Sequence, residues 1–332
     1  MNRIGKRVIF KAPNVVEVER FKVRPINDDE VLIKTVSTLI SPGTETAFLQ
    51  ALPNTPRRFP QYPGYSNAGI VVEVGKDIQD FKVGDRVASP ASHSSFVIAN
   101  EQNLFKIPNN LSFDEAAFFN LTAIALQGVR KAQIEIGNSV LVLGLGLVGQ
   151  LAAQLAKLNG AFPVIGVDLY DFRLKVAKEL GTDYVINPKE STLISRVKEI
   201  TEGKGADIVL EVTGNPDCIP LALKLAKRCG KVILLGSTRG ESTVNFYSDV
   251  HRKGITIIGA HNSVRPRYES FRFYWTRYDD CKLALKLIAN GRIRVKELIS
   301  LKVDYTQAAK AYEKLIKAKN EVIGVILDWR NA

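Results

Sequence analysis

The sequence predicts an α/β protein in which a β-rich module precedes a doubly wound parallel sheet. Three observations lead to this prediction. The first 110 residues hold apolar runs of strand length, separated by turns rich in proline and glycine. From Ser112 onward, β-branched runs alternate with helical patterns, as in a parallel sheet covered by helices. A chain of 332 residues also exceeds the usual size of one hydrophobic core, which favours two domains.

The β-rich first part is defined by alternating or continuous apolar runs. These predict strands at VIF, VEVERFKV, EVLIKTV, GIVVEVG and DRVAS. The part ends where Ser112 and Glu115 form a capping box, in which each side chain satisfies a backbone N–H of the other residue. This pair predicts one helix that continues through residues 115–132.

The second part alternates strands with helices. Apolar strands are predicted at VLVLG, PVIGVD, YVIN, ADIVLEVTG, KVILLG and ITIIGA. Between them we expect helices that include LKVAKELG, ISRVKEI and IPLALKLAKRC. The last 70 residues predict two helices and a strand, at DDCKLALKLIANG, QAAKAYEKLIKA and VIGVILDW. Six strands with five intervening segments indicate a parallel sheet, because parallel strands need crossover connections.

The net charge of +12 is spread along the chain. A nucleic-acid-binding protein would concentrate it in a stripe with aromatic residues, and only residues 265–278 approach that pattern. We therefore favour a solvated surface or an anionic small substrate over nucleic acid. No signal segment or membrane span is expected. The three cysteines match neither a disulfide framework nor a zinc knuckle, which favours the cytoplasm.

A glycine-rich turn follows the strand VLVL. Gly144, Gly146 and Gly149 form G-x-G-x-x-G, and a helix begins at the third glycine. The first glycine permits the tight turn, the second lets a pyrophosphate approach the backbone, and the third lets helix and strand pack closely. The N–H groups at the helix start, those of Leu147 and Val148 included, would then face the anion. Strand, turn and helix in this order predict a dinucleotide site.

An acidic residue follows the next strand, as in dinucleotide-binding units. Asp168 lies 19 residues past Gly149, where its carboxylate can accept hydrogen bonds from the ribose hydroxyls. It would repel a 2′-phosphate, and Leu169 and Tyr170 supply no cation to compensate. This predicts NAD (NADH) rather than NADP as the cofactor. Arg173 is either an adenine-stacking residue or an ordinary helix surface charge.

Several motifs, in order, carry a family resemblance over nearly the whole chain. They are GTET at 43–46, PGYSNAG at 63–69, VVEVG, VGDRV, LTA at 121–123, GLGLVG, VTG at 212–214 and KGITIIGA at 253–260. In these the chain resembles the medium-chain dehydrogenase/reductase superfamily of zinc alcohol dehydrogenases and quinone reductases. The resemblance implies a GroES-like β-rich catalytic domain (1–120), an NAD-binding Rossmann domain (121–261) and a return segment of the catalytic domain (262–332). It also implies cofactor contacts at Thr122, Thr213, Gly214 and Gly236.

The positions of the family's zinc ligands carry other residues here. Pro42 replaces a cysteine, Tyr65 a histidine, and the third ligand falls near Phe118. None of these offers the thiolate, imidazole or carboxylate that Zn²⁺ prefers. The four-cysteine structural lobe is absent as well, because ASPASHSSFV follows GDRV directly. We therefore expect no metal, and a likeness to zinc-independent members with an S-P-G-T-E loop.

Without zinc, side chains must manage the proton that accompanies hydride transfer. The resemblance places five candidates near the chemistry: Thr44, Glu45, Tyr65, His93 and His261. Each also has a structural alternative: Thr44 as a helix cap, Glu45 as a loop support, Tyr65 as a wall residue, and the histidines as hydrogen-bonded structural residues.

The stretch after the last Rossmann strand offers candidate substrate contacts. Arg265 and Arg267 would clamp an anionic group, and Tyr274 and Trp275 would stack on a flat face, unless the stretch is a rigid connection. The predicted function is metal-free, NAD-dependent oxidation of a secondary alcohol, or reduction of its ketone, with sugars and polyols as candidate substrates. The alternatives are an NAD(P)H quinone or enoyl reductase and a catalytically inactive dinucleotide-binding protein. The strand ITIIGA suggests a homodimer, because it pairs across a two-fold axis in many relatives.

Overall fold

A computed structural model describes residues 3–190 and 192–332. The chain forms two compact units. The first holds the residues up to Leu121 together with Cys281–Ala332, and the second holds Thr122–Asp280. The second unit therefore runs past residue 261, the boundary proposed from the sequence, and the division falls inside a helix at each end.

The first unit is built mainly from strands. These are β1 (Ile4–Ala12), β2 (Val15–Lys22), β3 (Glu30–Ile40), β4 (Asn67–Val74), β5 (Arg86–Ser89), β6 (Phe96–Asn100), β7 (Phe105–Lys106), β14 (Ile299–Asp304) and β15 (Gly324–Asp328). Strands β1 and β2 form an antiparallel pair, and a seven-stranded sheet has the order β14-β15-β3-β4-β5-β7, with β6 also paired to β3. The helices are α1 (Pro42–Leu49), α2 (Phe113–Ala116) and α9 (Ala308–Lys317), and α8 (Arg277–Ala289) enters this unit.

The second unit is a parallel sheet with helices between its strands. The strands are β8 (Val140–Leu143), β9 (Val164–Val167), β10 (Tyr184–Ile186), β11 (Ala206–Glu211), β12 (Ala226–Leu234) and β13 (Thr256–Gly259). The helices are α3 (Phe119–Ala132), α4 (Leu147–Leu158), α5 (Asp171–Glu179), α6 (Leu193–Ile200) and α7 (Cys218–Leu225). Every pairing is parallel and the order is β10-β9-β8-β11-β12-β13. This confirms the prediction of a doubly wound sheet in one unit and a β-rich module in the other.

Two of the predicted helices end differently in the structure. The capping box is present, with Ser112 Oγ accepting from Glu115 N at 3.2 Å, but the expected single helix is divided into α2 and α3. The helix predicted through Cys229 stops at Leu225, because the next residues join the parallel ladder with β11. Tertiary pairing there overrides a helical pattern.

Each unit has its own buried core. In the first, Trp329 and Tyr312 are fully buried; Tyr312 meets Phe10 edge-on at 5.0 Å and Trp329 stacks on Tyr305 at 4.7 Å. In the second, the sheet strands and α7 bury a continuous aliphatic cluster that includes Leu141. Within residues 3–190 and 192–332, no helix combines the length and apolar character needed to cross a bilayer.

Candidate functional site

The glycine-rich turn between β8 and α4 has one open position and two crowded ones. Gly144 has φ +97°, and a Cβ on Gly149 would lie 1.9 Å from the Gly144 carbonyl oxygen. Neither position therefore accepts a side chain without backbone movement. A Cβ on Gly146 would meet nothing nearer than Arg173 Nη1 at 4.0 Å. The space above Gly146 is thus free for a ligand to approach the backbone.

Helix α4 begins directly at this open position. Gly146 is its N-cap and offers no side-chain acceptor, so the N–H groups of the first turn, including those of Leu147 and Val148, have no cap partner. These donors and the positive end of the helix dipole suit a diphosphate. The turn geometry fits the dinucleotide expected from the sequence.

Asp168 is fixed beside the turn at the carboxyl end of β9. Its Oδ2 accepts from Leu145 N at 2.8 Å and its Oδ1 from Tyr170 N at 3.1 Å. Arg173 Nη1 lies 3.6 Å from Oδ2, and the Arg173 guanidinium lies 4.9 Å from the centre of the Tyr170 ring. The structure thus brings a cation to Asp168 that the residues immediately after it do not supply.

Three further residues expected at the cofactor, Thr213, Gly214 and Gly236, follow the ends of β11 and β12, whereas Thr122 lies in α3. Gly214 has φ +70°, and a Cβ on Gly236 would lie 2.7 Å from Gly214 N, so the loops after β11 and β12 touch there. Thr213 N donates to Glu211 Oε1 at 2.8 Å. Thr122 is fully buried, and its hydroxyl has no hydrogen-bond partner among the residues that the structure describes.

Glu211 is a residue that the sequence analysis missed. It is fully buried at the carboxyl end of β11, and within the described part of the chain its Oε2 has no hydrogen-bond partner. Burial raises the pKa of its carboxyl group. The signal was available: an acid interrupts the apolar run ADIVLEV where that strand ends, which is the ligand-facing edge of a parallel sheet.

In the first unit, Glu45 is the centre of a buried hydrogen-bond network. It lies on α1 and is 2% exposed. Its Oε1 accepts from Ser41 N at 2.7 Å, and its Oε2 lies 2.9 Å from His93 Nε2. The hydroxyl of Tyr312, from α9, donates to the same Oε2. Burial and the Glu45 charge raise the pKa of Tyr312 well above its usual value, so that phenol stays protonated.

His93 continues the network towards β3 and the residue that follows β15. Its Nδ1 lies 2.7 Å from Thr38 Oγ1, and Trp329 Nε1 donates to the same oxygen at 2.9 Å. All donors and acceptors are matched if Nε2 carries the proton towards Glu45 and Nδ1 accepts from Thr38. Both ring nitrogens are therefore engaged within this unit.

Tyr65 is joined to this network through Ser41. Its hydroxyl donates to Ser41 Oγ, its carbonyl accepts from Asn120 Nδ2 at 2.7 Å, and it is half-buried. Thr44 is half-buried within α1, whose N-cap is Ser41, so Thr44 does not cap that helix. Thr38 and Tyr312 carry no local sequence signal of this role, since each is an ordinary residue of its strand or helix. Ser41 begins the S-P-G-T-E loop between β3 and α1, but nothing in that pattern indicates the network.

His261 is separate from that network. It is exposed in the second unit, and its Nδ1 lies 2.8 Å from Ser263 Oγ and accepts from Ser263 N at 3.2 Å. These contacts cap a short 3-10 turn. The catalytic role proposed for His261 stays a prediction, beside this local structural role.

The candidate substrate residues fall into two groups. The Arg265 side chain is 5% exposed: it pairs with Asp280 at 2.5 Å and donates to the Ala123 carbonyl at 2.6 Å. The Arg130 guanidinium, also paired with Asp280, lies 3.8 Å from the centre of the Trp275 ring. Arg265 and Trp275 are thus held in a structural cluster, whereas Arg267 and Tyr274 are exposed.

Known proteins resemble this chain over most of its length. The family model described as "Alcohol dehydrogenase GroES-like domain" matches residues 27–114, and the one described as "Zinc-binding dehydrogenase" matches residues 148–274. L-threonine 3-dehydrogenase of Pyrococcus horikoshii is 31% identical over 277 residues, which are 74% of this chain and 78% of that protein. The chain belongs to the zinc-type alcohol dehydrogenase family.

Two further relatives of this chain match it over almost its full length. D-guloside 3-dehydrogenase of Escherichia coli is 28% identical, over 94% of this chain and 96% of that protein. A crystal structure of an E. coli oxidoreductase/dehydrogenase of unknown specificity superposes with a TM-score of 0.86 at 25% identity, covering 98% of this chain and 99% of that one. The predicted superfamily and its two-part fold are therefore confirmed.

At the three positions that the sequence resemblance assigns to the family's zinc ligands, the residues present do not fit the metal. Pro42 and the fully buried Phe118 have no ligand atoms in their side chains, and the Tyr65 hydroxyl is bonded to Ser41. Across residues 3–190 and 192–332, no group of three or more His, Cys, Asp or Glu side chains could hold a metal ion. At each of these positions, the residue present does not offer the thiolate, imidazole or carboxylate that Zn²⁺ prefers.

Proposed function

We propose that this family member is a zinc-independent, NAD-dependent oxidoreductase. It transfers a hydride between the nicotinamide and a secondary alcohol or ketone, with a sugar or polyol as the substrate class. The observation that carries the proposal is the open Gly146 turn beside the fixed carboxylate of Asp168. The names of relatives support the substrate class, since D-guloside 3-dehydrogenase and the sorbitol dehydrogenase of Bacillus subtilis act on polyhydroxylated compounds.

The chain's own groups bind and orient the dinucleotide. The nicotinamide, when bound, supplies the hydride acceptor or donor. The first turn of α4 holds the diphosphate, and Asp168 accepts hydrogen bonds from the ribose hydroxyls, as Leu145 N and Tyr170 N fix its orientation.

We assign the proton step to Tyr65, at the position of a family zinc ligand. Alcohol oxidation releases one proton from the alcohol oxygen: the Tyr65 hydroxyl takes it up as its own proton passes along the hydrogen bond to Ser41 Oγ, and the Ser41 hydroxyl proton leaves to water. Tyr65 donates to Ser41, whose N–H is held by Glu45, and Glu45 is fixed by His93. Because the link from Ser41 Oγ to Glu45 passes through the Ser41 backbone, Glu45 and His93 position the phenol and do not conduct its proton.

Two variants and a matched control test this assignment. Tyr65→Phe removes the exchanging hydroxyl and His93→Ala removes the support of Glu45, so each should lower kcat with NAD and a polyol at least tenfold, with NADH affinity unchanged. Tyr62→Phe is the control, because its exposed hydroxyl meets only Arg7 at 3.1 Å among the hydrogen bonds seen here. Unchanged turnover in both test variants would overturn the roles of Tyr65 and His93.

Metal independence is measured on the same wild-type protein. Purified enzyme should contain far less than one zinc per chain by elemental analysis and should keep its activity after treatment with EDTA. Loss of turnover on chelation, with recovery on added Zn²⁺, would contradict the zinc-independent part of the proposal while leaving the oxidoreductase part standing.

A second enzyme class, NAD(P)H quinone or enoyl reductase, is favoured by one contact. Arg173 lies 3.6 Å from Asp168 and offsets part of the carboxylate charge that would repel a 2′-phosphate. Reduction of quinones with NADPH, but no polyol oxidation, would select this class. Tight NADH binding without turnover on either panel would instead indicate an inactive dinucleotide-binding protein. We further propose a cytoplasmic homodimer acting on a small molecule, without nucleic-acid or membrane partners.

A further inference from the structure

A second concave site lies in the parallel-sheet unit. It is at the amino-terminal ends of the strands, whereas the glycine turn is at their carboxyl ends. It is a cavity of about 520 Å³ bounded by the end of α6, the loop before β11 and the junction of α7 with β12. These segments meet at Ala206 and Ala226, the first residues of β11 and β12. The glycine turn follows the last residue of β8, at the carboxyl ends of the strands. The two sites are therefore separated by the length of a strand, which for the six residues of β11 is about 17 Å.

The lining of this cavity is strongly basic. Among its lining residues are six cations and no carboxylate: Lys198, Lys204, Lys224, Lys227, Arg228 and Lys253. The remaining lining residues are aliphatic or glycine. The charged side chains that line the cavity are therefore all positive, and the other lining residues are apolar.

Some of these cations have structural partners. Lys253 Nζ donates to the carbonyls of Leu223 at 2.6 Å and Ala226 at 2.7 Å. Lys227 pairs with Asp207, and Lys204 pairs with Glu202 at 3.3 Å. Through these contacts the three lysines have partners within the protein, namely backbone carbonyls around the junction of α7 with β12 and two carboxylates. These lysines therefore need no ligand.

The other cations are not neutralised in this way. Within the described residues, no ion pair is formed by Lys198 or Lys224, and Arg228 donates to a backbone carbonyl, that of Arg252, at 3.2 Å. Burial lowers the pKa of Lys253 and the Lys198 charge lowers it further, against the opposing effect of Asp249. Like charges gathered around one cavity repel each other, and a bound anion removes that cost.

We propose that this basic cavity binds a small anion carrying two or more linked phosphate groups. Its volume lies within the range of small-ligand sites, about 300–1,000 Å³. Lysine is a common point-charge partner of phosphate, and several unpaired cations favour a multiply charged anion over a single carboxylate. The site uses none of the residues assigned to the dinucleotide, so it is independent of the proposed enzyme activity.

Calorimetric titration of the full chain with inorganic triphosphate, and separately with ATP, tests the proposal. The Lys198→Gln/Lys224→Gln variant removes the two unpaired lysines. The control is Lys310→Gln/Lys319→Gln, which changes the net charge equally at exposed positions of the other unit. We expect triphosphate affinity to fall at least tenfold in the first variant and to stay within twofold in the second, with circular dichroism unchanged in both.

The two titrants separate the sources of the phosphate chain. Equal sensitivity of triphosphate and ATP to the lysine changes indicates recognition of the phosphates alone, whereas at least tenfold tighter ATP binding that is lost in Lys198→Gln/Lys224→Gln indicates a nucleotide at this cavity. The proposal is overturned if the wild-type chain fails to bind either compound. It is equally overturned if all three proteins bind with the same affinity, since the anion would then sit elsewhere, for example at α4.

Discussion

Two glutamates of the first unit show how the surroundings of a carboxylate decide its role. Glu45 takes its donors from the protein interior, namely Ser41, His93 and Tyr312. A buried acceptor that loses such a donor costs about 1–3 kcal/mol, which makes Glu45 a rigid support. Glu30 is also buried, but it pairs with the half-exposed Arg24 through two contacts of 2.6 Å.

The Glu30 pair predicts part of the acid sensitivity of the fold. The Arg24 hydrogen bonds lower the pKa of Glu30 from 4.5 to about 2, so its stabilisation is present above pH 4.5 and is lost as the pH falls towards 2. Because Arg24 is well solvated, we expect Glu30→Gln to cost about 1 kcal/mol at pH 7 and almost nothing at pH 2. Urea unfolding at a series of pH values measures this. A constant difference between the two proteins across that range would show that ionisation of Glu30 plays no part, and Glu17→Gln, in a more exposed pair, is the control.

In the turn between β8 and α4, one glycine is needed for folding and another for ligand binding. Glycine is needed at position 149 because a side chain there would collide with the Gly144 carbonyl oxygen, whereas a Cβ on Gly146 would meet free space. The same G-x-G-x-x-G pattern therefore contains one position that serves packing and another that serves the ligand.

Two alanine substitutions test this separation. Gly149→Ala brings a methyl to 1.9 Å from a backbone oxygen, so we expect a loss of about 2 kcal/mol of stability. Gly146→Ala should leave the melting temperature within about 2 °C, because its methyl is unobstructed, yet weaken NADH binding at least tenfold by filling the diphosphate position. Thermal melts and NADH fluorescence titrations report both effects. Normal NADH affinity in Gly146→Ala would place the diphosphate away from this turn.

The contrast between these sites explains what the sequence could predict. The sheet strands, the turn and Asp168 follow from patterns within about 30 residues, where local spacing decides the geometry. The Glu45 network could not be foreseen, because it joins residues 48 and 267 positions apart. Glu45 and His93 were singled out by resemblance alone, and Tyr312 has no feature that distinguishes it from other core tyrosines. The end of α7 was missed because sheet pairing, a non-local interaction, determines it.

Association of two copies of the chain depends on two properties of the whole molecule, the open edge strand of the parallel sheet and the net charge. Strand β13 ends the six-stranded sheet, and among the described residues no strand pairs with its outer side. An open edge is a template for pairing with a second copy, which is the physical basis of the proposed homodimer. The net charge of +12 acts against association, since two copies repel each other through weakly screened charge at low ionic strength.

These opposing effects give a prediction for oligomeric state. Light scattering coupled to gel filtration should find a dimer at 200 mM salt and a larger monomer fraction at 20 mM, because salt screens the repulsion more than it weakens edge pairing. Ile258→Lys places a charge in the half-buried centre of β13 and should yield a monomer that still binds NADH, as edge charges oppose strand addition. Val15→Lys, on an exposed strand of the other unit, is the control and should remain dimeric. A dimer that persists in Ile258→Lys, or a wild-type chain that is monomeric at both salt concentrations, would rule out association through this edge.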